Sequence, residues 1–474
     1  MQTISFKKTY IRLLSYVKPF WYLFLIAAIG NILYACADTS VTYMLKPLVD
    51  KGFNPQNQDF EFLHRLPFYI LILFVARGTG SFAGSYAMGW IGRKVVQLFR
   101  CEIYQKLLVL PAHFYDKAAR GRLLSKLTFN VDQVTAATND AVTTIVREGA
   151  TAIGLMGLMI WVNWKLFIIV LCIAPAMLMI VKVATKRFRV LSRRIQNVMA
   201  DVNHIAEESI NAYQEIRIYH ASEQRQQTFD EANNYNFKQG MKLVFADSLN
   251  NPLVQFFGAL ALALVIYIAV PIHKDLPMMS GGDFAMMIGA MIAISRPIQR
   301  LTKVNTQIQT ALVAAHDIFQ LLDEKNEDDT GNKTLEFGKD AKVVFDQVSF
   351  GYNNDQEWAV KDVSFTLEPG KTVALVGKSG SGKTTLAHLL AGFYRAQKGQ
   401  IQIAGEDIKN IALDDLRANI SFVSQHVRLF DDTIFNNIAL GNLDVDKEKV
   451  IAAAKAAQAY DFIQEMDEGF DTVI

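Results

Sequence analysis

The sequence predicts an α-helical polytopic membrane domain of six spans followed by a partial α/β P-loop ATPase domain. Three observations carry that prediction. The 474-residue chain is 51% hydrophobic and only 20% charged, where a soluble protein lies nearer a quarter charged. Several apolar stretches reach the ~20 residues that a hydrocarbon core demands. Residues 377–384 read GKSGSGKT, the G-x-x-x-x-G-K-[ST] spacing of a phosphate-binding loop. Length alone implies more than one domain, and the expected division is 1–325 membrane domain, 326–340 linker and 341–474 nucleotide domain.

Six spans are predicted, at Phe20–Leu45, Leu66–Ile91, Ala141–Val162, Trp164–Thr185, Pro252–Ile272 and Asp283–Leu301. The first follows Lys7, Lys8 and Arg12, is too long for a signal-peptide core, and has no small-residue cleavage pattern after it. Spans three and four are separated by little more than Asn163, so a tight turn is expected there. The sixth is interrupted by Arg296 and Arg300. Lys and Arg crowd 93–140 and 182–247, whereas 50–65 carries only Lys51 and Arg65, and 273–282 only Lys274. The basic excess places both termini and the two long segments in the cytoplasm. Those segments read as helical extensions of the spans, each interrupted at a turn-prone stretch, 111–121 and 211–222, where a short helix is expected to dock on the nucleotide domain. Two solvated amphipathic hairpins are the plainer alternative.

Ionisable groups inside spans are functional candidates. Arg77, Arg147 and Arg296 fall at broadly similar depth, roughly 16–24 Å from the outer ends of their spans at 1.5 Å per residue. Guanidinium stays charged in apolar surroundings and binds phosphate through two donors, so these three are candidate contacts for an anionic substrate. The alternative is internal pairing with Glu148, Asp38 or Asp140. Glu148 cannot serve its neighbour Arg147, because adjacent helical positions diverge.

Composition excludes other classes. Cys36, Cys101 and Cys172 lie far apart, so neither a disulfide framework nor a metal spacing is expected. The eight histidines form no ligand cluster, so no structural transition metal is expected; the net charge of +2 says nothing about nucleic acid, and no nucleic-acid partner is expected.

Past the acidic, polar stretch 320–334 the pattern turns to short strands, Val343–Phe345, Val348–Phe350 and Val363–Phe365. Lys371–Val376 suits a buried parallel strand leading into the loop, and Thr385–Gly392 opens a helix that stops near Gly392. Strand, loop and helix N-terminus turn backbone N–H groups toward phosphate oxygens. The expected nucleotide set is Tyr352, Gly377, Lys378, Ser379, Gly380, Ser381, Gly382, Lys383, Thr384, Thr385 and Gln425. Lys383 reaches the β- and γ-phosphates of ATP and the Thr384 hydroxyl ligates Mg²⁺. Tyr352 is placed to stack on adenine, although a surface tyrosine fits the spacing equally well. Gln425, at the end of a predicted strand Ile420–Ser424, can reach Mg²⁺ or a water near the γ-phosphate.

Taken together, Tyr352, Gly377–Thr384, Gln425 and the spans before them resemble an ATP-binding cassette (ABC) exporter half-transporter. LKPLVD at 45–50, VREGA at 146–150, KRFR at 186–189, SRP at 295–297, LTKVN at 301–305 and DFIQEMD at 461–467 resemble the lipid A–core flippase branch of that family. The resemblance implies a type IV exporter fold and a homodimer. It implies ATP-driven movement of a lipopolysaccharide precursor between leaflets of a bacterial inner membrane, with surrounding membrane lipids as further partners. It assigns Arg77 and Arg147 to glucosamine phosphates. The family's lysine three positions after Arg296 is here Gln299, with Arg300 beside it, a turn of ~100° about the helix. The signature sequence, the Walker B aspartate with its glutamate and the switch histidine do not occur before Ile474. The expectation is therefore a truncated chain that holds phosphates without completing hydrolysis, so that no catalytic residue is named. Two other readings compete: a multidrug or peptide exporter, which a cavity richer in carboxylates than Asp38 would suit, and a non-catalytic nucleotide-binding membrane protein.

Overall fold

The computed structural model describes residues 6–53, 58–117, 120–269, 280–334, 341–352, 358–425, 427–442 and 445–474. The chain divides into two units, one of residues up to 110 and 118–325, the other of 111–117 and 326–474.

The first unit is helical. α1 (Phe6–Val17) precedes α2 (Trp21–Tyr43), α3 (Phe60–Leu108) crosses back, and α5 (Val131–Asn211), α7 (Ser222–Ala269) and α8 (Gly281–Leu322) complete the unit. Each of the six predicted spans is helical over its described residues, apart from a turn at Met44 in the first. Stretches within Lys8–Phe53, Phe60–Leu108 and Gly121–Ile168 are long and apolar enough to cross a membrane, and Gly258–Tyr267 is a shorter apolar helix. The loop with Lys274, the end of the fifth span and the side chains of Lys186–Arg189 lie outside the described residues. α5 breaks at one residue, Asn163 (φ −159°, ψ 97°), whose Oδ1 accepts from Lys165 N and Leu166 N and so caps the second half. α2 and α3 meet at small residues: a Cβ on Gly80 would stand 2.7 Å from Gly30 O, and one on Gly30 2.7 Å from Gly84 N. Backbones approach this closely only where side chains vanish, a common device between membrane helices. The Asp50 carboxylate accepts from Ser280 Oγ and Gly282 N, both at 2.7 Å, and so ties the end of the first span to the start of α8.

Short helices stand at both expected interruptions, α4 (Ala112–Lys117) and α6 (Tyr213–Ile218). α4 belongs to the second unit, where Tyr394 Oη donates to Asp116 Oδ2 at 2.6 Å.

The second unit carries an antiparallel sheet in the order β2-β1-β3-β4, from β1 (Val343–Phe350), β2 (Val360–Leu367), β3 (Lys398–Ile403) and β4 (Glu406–Asp407). Its inner face buries Phe345, Val348, Phe350, Ile401 and Ile403 against Leu389 of α9 (Lys383–Leu390) and Leu416 of α10 (Leu413–Ala418). The two strands predicted at Val343–Phe345 and Val348–Phe350 are one strand, because Gln347 (φ 49°) bulges between them and its N–H donates to Ser364 Oγ. The strands predicted at 371–376 and 420–424 do not form. A parallel strand is completed by its ladder neighbours, and here Val376 and Val423 stay 94% and 89% exposed. A smaller core of Ile434, Val450, Ala454, Ile463 and Phe470 joins α11 (Ile434–Ile438), α12 (Lys447–Ala456) and α13 (Tyr460–Gln464). The expected linker is bonded to this unit at Glu327, which accepts two hydrogen bonds from Arg417 at 2.8 and 2.6 Å, and at Lys333, paired with Glu406.

Candidate functional site

The glycine loop of the second unit is built as its sequence demands. Gly380 and Gly382 adopt φ of 81° and 84°, the left-handed region that favours glycine. Gly382 precedes the first residue of α9, and a Cβ there would meet Ala359 O at 2.5 Å. Lys383 folds back over the loop, donating from Nζ to Gly377 O and Lys378 O, both at 2.9 Å. Those carbonyls hold the ammonium where phosphate oxygens can replace them. Thr384 is exposed in the first helical turn, while Thr385 is buried and its Oγ1 lies 3.0 Å from Tyr352 Oη. Tyr352 also stands edge-on to Phe350 and Tyr394 at 5.1 and 5.2 Å, which orients its ring. Burial, then the hydrogen bond to Asp116, pushes the Tyr394 hydroxyl pKa well up, so it remains a donor. Gln425 lies exposed after 420–424, and no contact joins it to Thr384 among the described residues. The loop, Lys383, Thr384, Thr385 and Tyr352 are brought together; Gln425 is not.

In the first unit Arg77 and Arg147 converge on one side chain. Tyr34 accepts from Arg77 Nη2 at 2.9 Å, and its ring lies 5.1 Å from the Arg77 guanidinium and 4.6 Å from that of Arg147. Asp38 pairs with Arg77 at 3.0 Å, and Asn31 Oδ1 accepts from Arg147 Nε at 2.9 Å. Ser85 Oγ accepts from Arg147 Nη2 at 3.2 Å. Internal pairing is thus realised for Arg77, with its fork still about a quarter exposed. Glu148 serves Arg300 at 2.5 Å instead of its neighbour, as the divergence of adjacent positions requires. Arg296 is exposed and has no ion pair among the described residues.

Sequence reading missed Asn31 and Tyr34. Their signal was present: Asn31, Tyr34 and Asp38 repeat at helical spacing on one face of an otherwise apolar span. It named Arg296 and Arg300 but not Lys303 and Gln307, which continue the same stripe at spacings of three and four along α8.

Comparison with known proteins decides the family. The profile of the ABC transporter transmembrane region matches residues 24–298, and that of the ABC transporter nucleotide domain matches 360–473. The chain belongs to the ABC transporter family. This transporter is 40% identical, over 98% of its chain and 79% of the relative, to the ATP-dependent lipid A-core flippase of Chromohalobacter salexigens. It is 39% identical to proteins of that name from Thiobacillus denitrificans, over 100% of its chain and 81% of the relative, and from Coxiella burnetii, over 98% and 78%. The transporter therefore has a helical membrane domain followed by a P-loop ATPase domain.

Proposed function

We propose that this protein is an ATP-driven translocase that moves a phosphorylated glycolipid of the lipid A–core class from the inner to the outer leaflet of a bacterial inner membrane, working as a homodimer. The observation that carries the reading is the pair Arg77 and Arg147, held on Tyr34 inside the membrane unit with their forks still partly open. Guanidinium groups at that depth are costly, and an anionic ligand offsets the cost. The names of the relatives point to the same substrate class.

The loop fits a nucleoside triphosphate: its two left-handed glycines shape an anion cradle, and Lys383 already sits on oxygen atoms. Bound there with Mg²⁺, ATP would supply the β–γ phosphoanhydride bond whose hydrolysis by water drives transport. Lys383 holds the transferred phosphate, Thr384 offers a hydroxyl to the metal, and Tyr352 offers a ring face to the base. Gln425 would offer its carboxamide to the metal or to a water near the γ-phosphate.

The test is binding of bis-phosphorylated lipid A to the whole transporter in nanodiscs. Replacing Arg77 and Arg147 together by Ala removes two charge-assisted contacts, on the order of 3 kcal/mol, so affinity should fall about a hundredfold. A double variant that folds and binds lipid A as tightly as the parent would contradict the assignment.

A further inference from the structure

The turn after α9, residues 391–395, joins the linker to Tyr352. Gly392 (φ 70°) ends the helix, and Phe393 N closes the turn by donating to His388 O at 3.0 Å. A Cβ on Gly392 would stand 2.9 Å from Leu413 Cδ2, so the turn packs closely on α10. The next three side chains reach different partners. The Phe393 ring lies 5.1 Å from the Arg417 guanidinium of α10. The Tyr394 ring stands edge-on to Tyr352 at 5.2 Å, and its hydroxyl donates to Asp116 of α4. Arg395 Nη2 donates to Asp328 O of the linker at 2.7 Å.

Arg417 makes the second tie between turn and linker. Glu327 accepts from its Nη1 and Nη2 at 2.8 and 2.6 Å, while Nε and Nη2 approach Ala391 O and Gly392 O at 3.4 Å. One edge of the guanidinium thus carries a linker carboxylate, and the adjoining edge faces the carbonyls left free at the end of α9. Further along the linker, Asp329 accepts from Leu413 N, and Asn332 N and Lys333 N donate to Asn410 O. Glu327 and Asp328 instead act on the turn, through Arg417 and Arg395. Glu327 follows Leu322, the last residue of α8, by five positions. Five extended residues reach about 17 Å at most, so a larger displacement of the end of α8 pulls on Glu327 and Asp328.

We propose that Glu327 is a positioning residue for the nucleotide: through Arg417, and beside the Asp328–Arg395 bond, it holds the 391–395 turn so that Tyr394 keeps the Tyr352 ring in place for the base of ATP. ATP affinity then follows the state of the linker. The proposal rests on the reading above that Tyr352 meets the base. Asp116 acts on the same Tyr394 hydroxyl, so a second input reaches the turn from α4. A linker bonded here for stability alone would affect every ligand of the loop alike, whereas a linker acting through Tyr352 affects only ligands with a base.

Two Mg²⁺-bound probes separate these cases on the whole transporter: ATP, and inorganic triphosphate, which offers the loop phosphates without a base. Glu327→Gln, which keeps the shape and removes the charge, should weaken ATP about fourfold and triphosphate less than twofold. Arg417→Lys, which keeps the charge without the fork, should show the same selective loss. In a Tyr352→Ala background Glu327→Gln should have no further effect on ATP, because the residue it acts through is gone. Should Arg417→Lys fail to fold, Arg395→Ala must show the same dependence on the base. Parent-like ATP binding by Glu327→Gln, or equal losses for the two probes, overturns the proposal and leaves Glu327 a structural tie. An additive loss in the double variant overturns it as well. Parent-like ATP binding by Tyr352→Ala alone overturns the stacking reading, and the proposal with it.

Discussion

Tyr34 solves a problem that two half-buried cations create. A guanidinium inside a span needs an acceptor or a π face, and Tyr34 supplies a hydroxyl to Arg77 and a ring to both arginines. Tyr34→Ala should therefore lower lipid A affinity about tenfold, and Tyr34→Phe, which keeps the ring, by less than threefold in the same binding assay. Equal losses in the two variants would place the whole effect on the hydroxyl. At the nucleotide loop, Tyr352→Ala should weaken ATP binding about fivefold, corresponding to ~1 kcal/mol of stacking, while Tyr352→Trp keeps it. Titration with a fluorescent ATP analogue reads the difference, and equal affinities would return Tyr352 to an ordinary packing role beside Thr385. The phosphate loop was legible from sequence because its glycines and Lys383 act on one another within eight residues. Tyr34 was not, and nor was the pairing of Arg300 with Glu148, because both depend on which helices lie side by side.

Helices were easier to read than strands, for a physical reason. A span declares itself by local apolarity and length, and the break at Asn163 needs only one residue. A strand is completed by its neighbours: 371–376 has the composition of a buried strand, yet among the described residues it joins no sheet and Val376 is 94% exposed. β1 shows the reverse, where the bulge at Gln347 joins two runs that read as separate strands. The glycine contact between α2 and α3 gives a prediction at this scale. Gly80→Leu drives a side chain into Gly30 O and the Tyr34 N–H, 2.7 and 2.9 Å from the Cβ position, so it should destabilise the membrane unit by about 1–3 kcal/mol or more. A drop of several degrees in the thermal midpoint in detergent checks it, and an unchanged midpoint would show that the helices can part without cost. α4 offers a second prediction. Tyr394→Phe removes the donor to Asp116, so amide exchange across 112–117 should quicken severalfold, with the sheet of the same unit unaffected.

At the scale of the whole molecule, one chain joins a membrane unit that holds arginines within its spans to a unit with a phosphate loop, and the family couples such parts by spending ATP on transport. The central claim is that the cargo is recognised by its phosphates. The measurement that tests it most directly is ATP hydrolysis by the whole transporter in nanodiscs, titrated with bis-phosphorylated lipid A and, in parallel, with the same lipid stripped of both phosphates. Stimulation by the phosphorylated lipid at concentrations where the stripped lipid has no effect is the predicted result. Equal stimulation by the two lipids would contradict it and assign Arg77 and Arg147 to structure alone.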